Sequence, residues 1–216
     1  MLRYLLFDLD NTLYPQSCGL WGAIGHRINL YMMDQLNIHP DEVGERRDTY
    51  LTAFGTTLNA LRHYYSVDPE EFLAYVHDLP LEQYLQYEPA LDQMLGRLPM
   101  RKVIFTNADA AHARRVLARL GISRHFERII DIHTLEFVTK PDRRAYLKAM
   151  EIIGARPQEC VLVEDSLTNI LPARALGMIT VLVRDGQDAV GADCCISSIA
   201  ELEPIIGSLL GSEKSR

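Results

Sequence analysis

A short apolar run near the start of the chain ends in two aspartates spaced two residues apart, in the stretch Leu5-Leu6-Phe7-Asp8-Leu9-Asp10-Asn11-Thr12-Leu13. The run is typical of a buried strand. Residues i and i+2 of a strand point to the same side, so we expect the carboxylates of Asp8 and Asp10 to converge just beyond its carboxyl end. Carboxylates held together repel, and they need a bound cation, a cationic side chain or protonation of one partner. The alternative is a strand ending in ordinary turn residues, because Asp, Asn and Thr are common turn formers.

Size and composition indicate one large globular domain, or one domain that carries an insertion. The chain has 216 residues, of which 48% are hydrophobic and 24% charged. No apolar run approaches the roughly 20 residues of a membrane span, and the start of the chain lacks a signal-peptide pattern, so we expect a cytoplasmic protein without a membrane partner. The net charge of -7 argues against binding of a nucleic-acid polymer, which needs a basic face. An acidic protein that handles phosphate must therefore concentrate positive charge locally, for example in a metal ion and one or two lysines.

The four cysteines do not have the spacing of a zinc site. Cys18 and Cys160 are isolated, and Cys194 and Cys195 are adjacent. We expect them to be buried small apolar residues and not metal ligands or disulfide partners.

The segment from residue 15 to residue 87 has a helical pattern throughout. An apolar stripe near helical spacing predicts a first helix over residues 21–36, and a second helix is expected after Pro40. Gly55 permits a break, and Asp68-Pro69 followed by two glutamates predicts the start of another helix that runs through Val76. We interpret this segment as a small helical insertion after the first strand.

From about residue 88 helices and strands alternate to the end of the chain. Apolar runs predict strands over residues 102–106, 128–132, 160–164 and 179–183, with a last short strand near residues 195–196. Helical stripes lie between them, and Pro172 is expected near the first turn of its helix, because an interior proline breaks helical hydrogen bonding. This alternation predicts an α/β fold, with a three-layer, Rossmann-like parallel-sheet core formed by residues 1–14 and 88–216.

Ligands of such sheets bind beyond the carboxyl ends of the strands. The polar residues at those positions form a short list: Asp8 and Asp10, Thr106 and Asn107, and Glu164 and Asp165, with Lys140 in a loop that leads into a helix. Each has an ordinary alternative. Lys140 could be a solvated lysine before a proline, and the residues after each strand could simply cap the next helix.

Four short motifs, in this order and at these strand ends, resemble those of the haloacid dehalogenase-like hydrolases: Asp8-Leu9-Asp10-Asn11-Thr12, Phe105-Thr106-Asn107, Lys140-Pro141 and Glu164-Asp165-Ser166. Any one of them is weakly specific, but four in order are strong. The helical insertion looks like the cap of the superfamily's largest soluble branch. Further stretches narrow the resemblance to the pyrimidine 5′-nucleotidase group, which implies nucleoside monophosphates as substrates: Asn11 with Leu13-Tyr14-Pro15, His112-Ala113, Leu120-Gly121-Ile122 and Asn169-Ile170.

This resemblance implies a mechanism that fits the residue types. Asp8 would be the nucleophile, and Asp10 would protonate the leaving alcohol and then activate water. Mg²⁺ would be bound by Asp8, the backbone carbonyl of Asp10 and Asp165. Lys140 would neutralise charge, and the Thr106 hydroxyl and the Asn107 backbone N–H would donate to phosphoryl oxygens. Glu164 could bind the metal directly, bind it through water, or play a supporting role, which we favour.

Substrate choice would then fall to the cap, because these core residues reach only the phosphate and the metal. Phe54 and Thr56 combine an aromatic ring and a hydroxyl, which suit a nucleobase; alternatively, Phe54 belongs to the cap's core and Thr56 to a turn. Rival functions are a sugar-phosphate phosphatase, a phosphomutase of the same fold, and a non-catalytic phospho-acceptor domain. Dehalogenation is disfavoured, because it needs neither a metal nor an acid for a leaving alkoxide.

Overall fold

The computed structural model describes residues 1–184 and 190–214. Six strands form one parallel sheet in the order β3-β2-β1-β4-β5-β6. Their bounds are β1 Tyr4–Phe7, β2 Arg101–Phe105, β3 Phe126–Ile130, β4 Cys160–Glu164, β5 Ile179–Val183 and β6 Cys194–Ile196. The first strand lies near the middle of the sheet, so its carboxyl end is flanked by the ends of β2 and β4.

Helices cover both faces of this sheet. On one face, Phe7 and its neighbours pack against α5 (Pro89–Arg97), α6 (Ala110–Leu120) and α9 (Leu202–Lys214). On the other face, Leu6 and its neighbours pack against α7 (Arg143–Ile153) and α8 (Leu167–Ala175). Alternate residues of one buried strand therefore contribute to two separate cores. The predicted three-layer parallel-sheet core is confirmed.

The segment between β1 and α5 is helical, as predicted. It contains α1 (Leu20–Asp34), α2 (Pro40–Phe54), α3 (Thr57–Tyr65) and α4 (Pro69–His77), which share an apolar cluster that also includes Ile132 of the core. Gly55 ends α2 with φ of 76°, a conformation that a residue with a Cβ adopts only with strain. We refer to residues 15–87 as the helical insertion; its status as a separate domain stays a prediction, and the core prediction over 88–216 includes residues 185–189, 215 and 216, which lie outside the described residues.

Three predicted elements have other bounds than expected, and the first of them, α1, ends at Asp34, two residues before its predicted end. Strand β3 begins at Phe126 and ends at Ile130, two residues earlier than expected, because the Asp131 carboxylate turns the chain by accepting from the backbone N–H groups of Ala110 and Thr134. Helix α8 begins at Leu167, so Pro172 is its sixth residue. A proline there removes a single helical hydrogen bond, and the helix continues past it to Ala175.

The strand register sets the geometry of the site. Phe7 is level with Ile104 of β2 and with Val163 of β4. The three strands therefore end side by side, and the residues that follow them meet at one edge of the sheet. Among the described residues, no helix has both the length and the apolar character needed to cross a membrane. All four cysteines are free; Cys160 is buried and the other three are half-buried.

Candidate active site

Asp8 follows β1 directly and is buried, with 8% of its surface exposed. Its backbone N–H donates to the carbonyl of Val163 at 2.9 Å, which continues the sheet pattern by one residue. Its Oδ1 atom lies 2.7 Å from Nζ of Lys140. The first aspartate of the sequence pattern therefore has a cationic partner, one of the possibilities that the sequence left open.

Lys140 is buried as completely as the apolar core, with 1% of its surface exposed. Its ammonium donates to Asp8 and, at 2.6 Å, to Oε2 of Glu164. Glu164 has no exposed surface, and its other oxygen accepts from the backbone N–H of Ser166 at 3.2 Å. A buried charge is tolerated only when it is paired, so the lysine and the two carboxylates depend on one another. A solvated Lys140, the alternative weighed from sequence, is excluded.

The side chain of Asn107 holds the backbone of Lys140 in place. Its Nδ2 donates to the Lys140 carbonyl and its Oδ1 accepts from the Lys140 N–H, both at 2.9 Å. The sequence prediction used only the backbone N–H of Asn107. The structure adds a role for its side chain, which holds the backbone of Lys140. Thr106 is buried, and its hydroxyl oxygen accepts from the N–H of Ala108 at 3.0 Å. A hydroxyl that accepts one hydrogen bond can still donate another.

Carboxylate oxygens of Asp8, Glu164 and Asp165 lie within 4.8 Å of one another. This all-oxygen donor set is the kind that Mg²⁺ prefers, and it contains more negative charge than Lys140 alone balances. The predicted set named Asp8, Asp10 and Asp165, with Asp10 contributing only its backbone carbonyl. The structure brings Asp8 and Asp165 together, as expected, and adds Glu164 to the same group of carboxylates.

The pKa values of these groups show the effect of crowding. Burial, followed by the charge of Glu164, raises the pKa of Asp8 to about 7 against the opposing effect of Lys140. Burial also raises the pKa values of Glu164 and Asp165. The two carboxylates beside Lys140 overcome the effect of its burial and raise its pKa, which keeps the lysine charged. A divalent cation among these oxygens would favour their ionised forms.

Asp10 has a different environment. Tyr14 donates to its Oδ1 atom at 2.5 Å, and Nε2 of His112 lies 3.0 Å from the same atom. Burial alone would raise the pKa of Asp10, but the charge and hydrogen bond of His112, with the bond from Tyr14, lower it. The two aspartates of one motif therefore differ in pKa, because Asp8 is crowded by other carboxylates whereas Asp10 accepts from two donors.

A cavity of about 1440 Å³ lies at this edge of the sheet, between the strand ends and the helical insertion. All eight predicted site residues line it: Asp8, Asp10, Thr106, Asn107, Lys140 and Asp165 from the core, and Phe54 and Thr56 from the insertion. The ring of Phe54 packs against His63 and Tyr64 at centroid distances of 5.2 and 5.5 Å. The hydroxyl of Thr56 accepts from the N–H of Asn59 and so caps α3.

A family profile described as haloacid dehalogenase-like hydrolase matches residues 2–177. This span covers every strand-end motif described above. The chain belongs to the haloacid dehalogenase-like hydrolases.

Similar proteins are consistent with this membership. The chain is 26% identical over 202 residues to Phosphate metabolism protein 8 of Saccharomyces cerevisiae, a match that covers 86% of this chain and 63% of the yeast protein. It is 29% identical over 205 residues to Glyceraldehyde 3-phosphate phosphatase of Methanopyrus kandleri, a match that covers 87% of this chain and 86% of the archaeal protein. A solved phosphatase of the family from Thermococcus onnurineus has the same fold, with a TM-score of 0.65, 24% identity and coverage of 95% of this chain and 98% of that one.

Sequence reasoning missed two partners of Asp10 in this member of the haloacid dehalogenase-like hydrolases. Tyr14 lies only four residues further along, and the short spacing gave a local signal that could have been used. His112 lies 102 residues away, so its contact with Asp10 depends on the tertiary fold.

Proposed function

We propose that the protein is a Mg²⁺-dependent phosphomonoester hydrolase that acts through an aspartyl-phosphate intermediate. The observation that carries this proposal is the buried ammonium of Lys140, which donates hydrogen bonds to both Asp8 and Glu164 at the carboxyl edge of the sheet. Such an arrangement positions one carboxylate next to fixed positive charge, where a phosphate dianion and a nucleophilic carboxylate can approach each other.

The proposed reaction has two steps. In the first, an Asp8 oxygen forms a bond to phosphorus, the ester P–O bond breaks, and the leaving alkoxide takes a proton from Asp10. In the second, Asp10 takes a proton from water, the water oxygen bonds to phosphorus, and the bond to Asp8 breaks to release inorganic phosphate. The lowered pKa of Asp10 favours the ionised carboxylate, which is the form that accepts a proton from water in the second step. A substrate dianion beside it would raise that pKa again, as like charges do, and this would favour the acid role.

The oxygen donors around Asp8 fit the cation of the proposal. Asp8, Asp165 and the backbone carbonyl of Asp10 would hold Mg²⁺, with Glu164 binding it directly, through water, or supporting Lys140. When bound, the ion would screen the repulsion between the phosphate and Asp8. Thr106 and the backbone N–H of Asn107 would donate to phosphoryl oxygens without adding charge.

Nucleoside 5′-monophosphates are the first proposed substrate class. The position of Phe54 and Thr56 on the wall of the cavity supports it, since both could face a base held over the phosphate site. Small sugar phosphates are the second class, favoured by the similarity to the archaeal Glyceraldehyde 3-phosphate phosphatase. The cavity volume exceeds the ~300–1,000 Å³ typical of ligand pockets, so it admits either class.

A phosphate-release assay across nucleoside monophosphates, sugar phosphates and p-nitrophenyl phosphate tests the proposal. We expect turnover that requires Mg²⁺ and is inhibited by Ca²⁺, which prefers more ligands at longer distances. Asp8→Asn keeps the side-chain volume and should abolish turnover while the protein remains folded. Activity retained by a folded Asp8→Asn variant would remove the aspartyl-phosphate from the mechanism. A stable phosphoprotein that releases no phosphate would instead indicate a phospho-acceptor domain.

Variants in the helical insertion test the substrate class. Phe54→Ala with Thr56→Ala should weaken binding of nucleoside monophosphates by about 1–3 kcal/mol if a base stacks there, while p-nitrophenyl phosphate changes little. Thr56→Ser is the control, because it keeps the hydroxyl that caps α3. An equal loss on both substrates would mean that these residues support the insertion and that base selection lies elsewhere.

A further inference from the structure

One side chain outside the predicted site contacts the carboxylate of Asp10. His112 lies in the first turn of α6, has 1% of its surface exposed, and contacts Oδ1 of Asp10 through Nε2 at 3.0 Å. A carboxylate can only accept, so Nε2 must carry the hydrogen for this bond to form. Tyr14 donates to the same Oδ1 atom. With two donors on one oxygen, the carboxylate is held in one rotamer, and Oδ2 is the oxygen left to exchange protons.

The imidazole of His112 is itself held by the helical insertion. The ring of His77, the last residue of α4, stacks on it with centroids 4.1 Å apart and an interplanar angle of 15°. Nδ1 of His77 lies 2.7 Å from Oδ1 of Asp109, the residue that caps α6. Arg115 of α6 donates to the carbonyls of His77 and Leu79 at 2.7 and 2.6 Å. These contacts hold the end of α4 against α6.

We propose that His112 is a positioning residue that orients the Asp10 carboxylate for proton transfer, and that His77 stacks on its ring and makes this orientation depend on contact between the helical insertion and the core. The inference deepens the proposed function and depends on Asp10 acting as acid and base. In this arrangement, the segment that selects the substrate also fixes the group that protonates the leaving alcohol. A merely space-filling role for the two imidazoles predicts loss of stability without any change in chemistry.

Leaving-group dependence separates these roles. The value of kcat/KM covers steps up to transfer of the phosphoryl group to Asp8, when the leaving group departs. A phosphate ester of a poorly acidic alcohol needs the acid, whereas p-nitrophenyl phosphate does not. General acid–base help is worth about 10²–10⁴-fold, so partial misorientation of Asp10 should cost about 10–100-fold on the alkyl ester. The quantity to measure is the ratio of kcat/KM for the alkyl ester to that for the aryl ester.

His112→Leu should lower this ratio about 10–100-fold, and His112→Gln, whose amide can donate from nearly the same place, should restore much of it. Tyr14→Phe removes the other donor to the same oxygen and should lower the ratio in the same direction. His77→Ala should lower the ratio less than His112→Leu, and His77→Phe, which keeps a stacked ring, should restore it. His125→Leu is the matched control, because it breaks a partly buried histidine–aspartate pair at Asp92 that does not line the cavity.

An unchanged ratio in folded His112→Leu, or an equal fall on both esters in both His112 variants, would overturn the positioning role. An effect confined to His112, with His77→Ala at the wild-type ratio, would overturn the dependence on the insertion. If His112→Leu does not fold, His112→Gln and Tyr14→Phe still carry the test. These failures differ from failure of the proposed function, which would show as absence of Mg²⁺-dependent turnover in the unaltered protein.

Discussion

Removal of the Lys140 ammonium tests the electrostatic design of the site. Lys140→Met keeps most of the side-chain volume but leaves Asp8 and Glu164 buried without their shared cation. Their carboxylate oxygens lie within 4.8 Å, and at that separation two unit charges repel by about 3.5 kcal/mol at an effective dielectric constant of about 20. One carboxyl would take up a proton to avoid this repulsion, which limits the cost. Breaking a buried ion pair typically costs ~3–5 kcal/mol, and we expect a loss of stability of this size.

The assay is urea unfolding followed by circular dichroism at pH 8 in EDTA, so that no divalent cation replaces the lysine. A loss of about 3–5 kcal/mol should lower the urea midpoint by about 1–2 M. Lys140→Met with Glu164→Gln should be more stable than Lys140→Met alone, because one of the two repelling charges is gone. Lys148→Met is the control: its salt bridge with Glu136 is on the surface and should be worth ~0–1 kcal/mol.

Two results would refute this reasoning. A cost of less than about 1 kcal/mol for Lys140→Met would mean that the site relaxes or admits water around the carboxylates. A double variant no more stable than the single one would mean that repulsion between Asp8 and Glu164 is not the source of the loss. In either case the buried ion pairs would cease to explain why Lys140 occupies this place.

Two further predictions concern neighbouring residues. Asn107→Ala removes both hydrogen bonds to the Lys140 backbone, so kcat should fall and stability should fall by about 1–3 kcal/mol; an unchanged kcat would show that other contacts position the loop. Burial opposes ionisation of Asp109, but its 2.7 Å contact with the His77 ring and the charge of that ring lower the pKa of Asp109 from 3.8 to about 2. Its contribution of about 2 kcal/mol to stability is therefore present above pH ~4 and is lost as pH falls toward 2. Asp109→Asn keeps the helix cap, and its stability deficit in urea unfolding should shrink over that window; a deficit independent of pH would contradict the assignment.

The sequence predicted the sheet well, for a local reason. Each core strand is a short apolar run that ends in polar residues, and β1, β2, β4 and β5 begin and end within about one residue of their predicted bounds. The boundaries that failed depended on long-range or context effects. Asp131 turns the chain after β3 by accepting from Ala110 in another segment, and α8 tolerates Pro172 because only one hydrogen bond is lost.

The site residues at the strand ends were also predictable, because parallel strands in register end together. The structure places Asp8, Thr106 and Asp165 around one cavity, while their roles in catalysis remain predictions. The sequence could not assign Glu164 between metal ligand and support, since its position after an apolar run fits either. Its 2.6 Å contact with Lys140 is visible only in three dimensions, and it supports the second role without excluding the first.

The contact between Asp10 and His112 shows how much further sequence reasoning can go. His112, Ala113, Val116 and Leu117 recur at helical spacing on the buried face of α6, so burial of the histidine follows from periodicity alone. A buried imidazole needs a partner for its N–H, and α6 begins at the sheet edge where Asp8 and Asp10 converge. These two facts narrow the partner to one of the carboxylates at that edge. They do not choose between Asp8 and Asp10, because the choice depends on Lys140, which already occupies Oδ1 of Asp8 and leaves Asp10 as the carboxylate for the histidine.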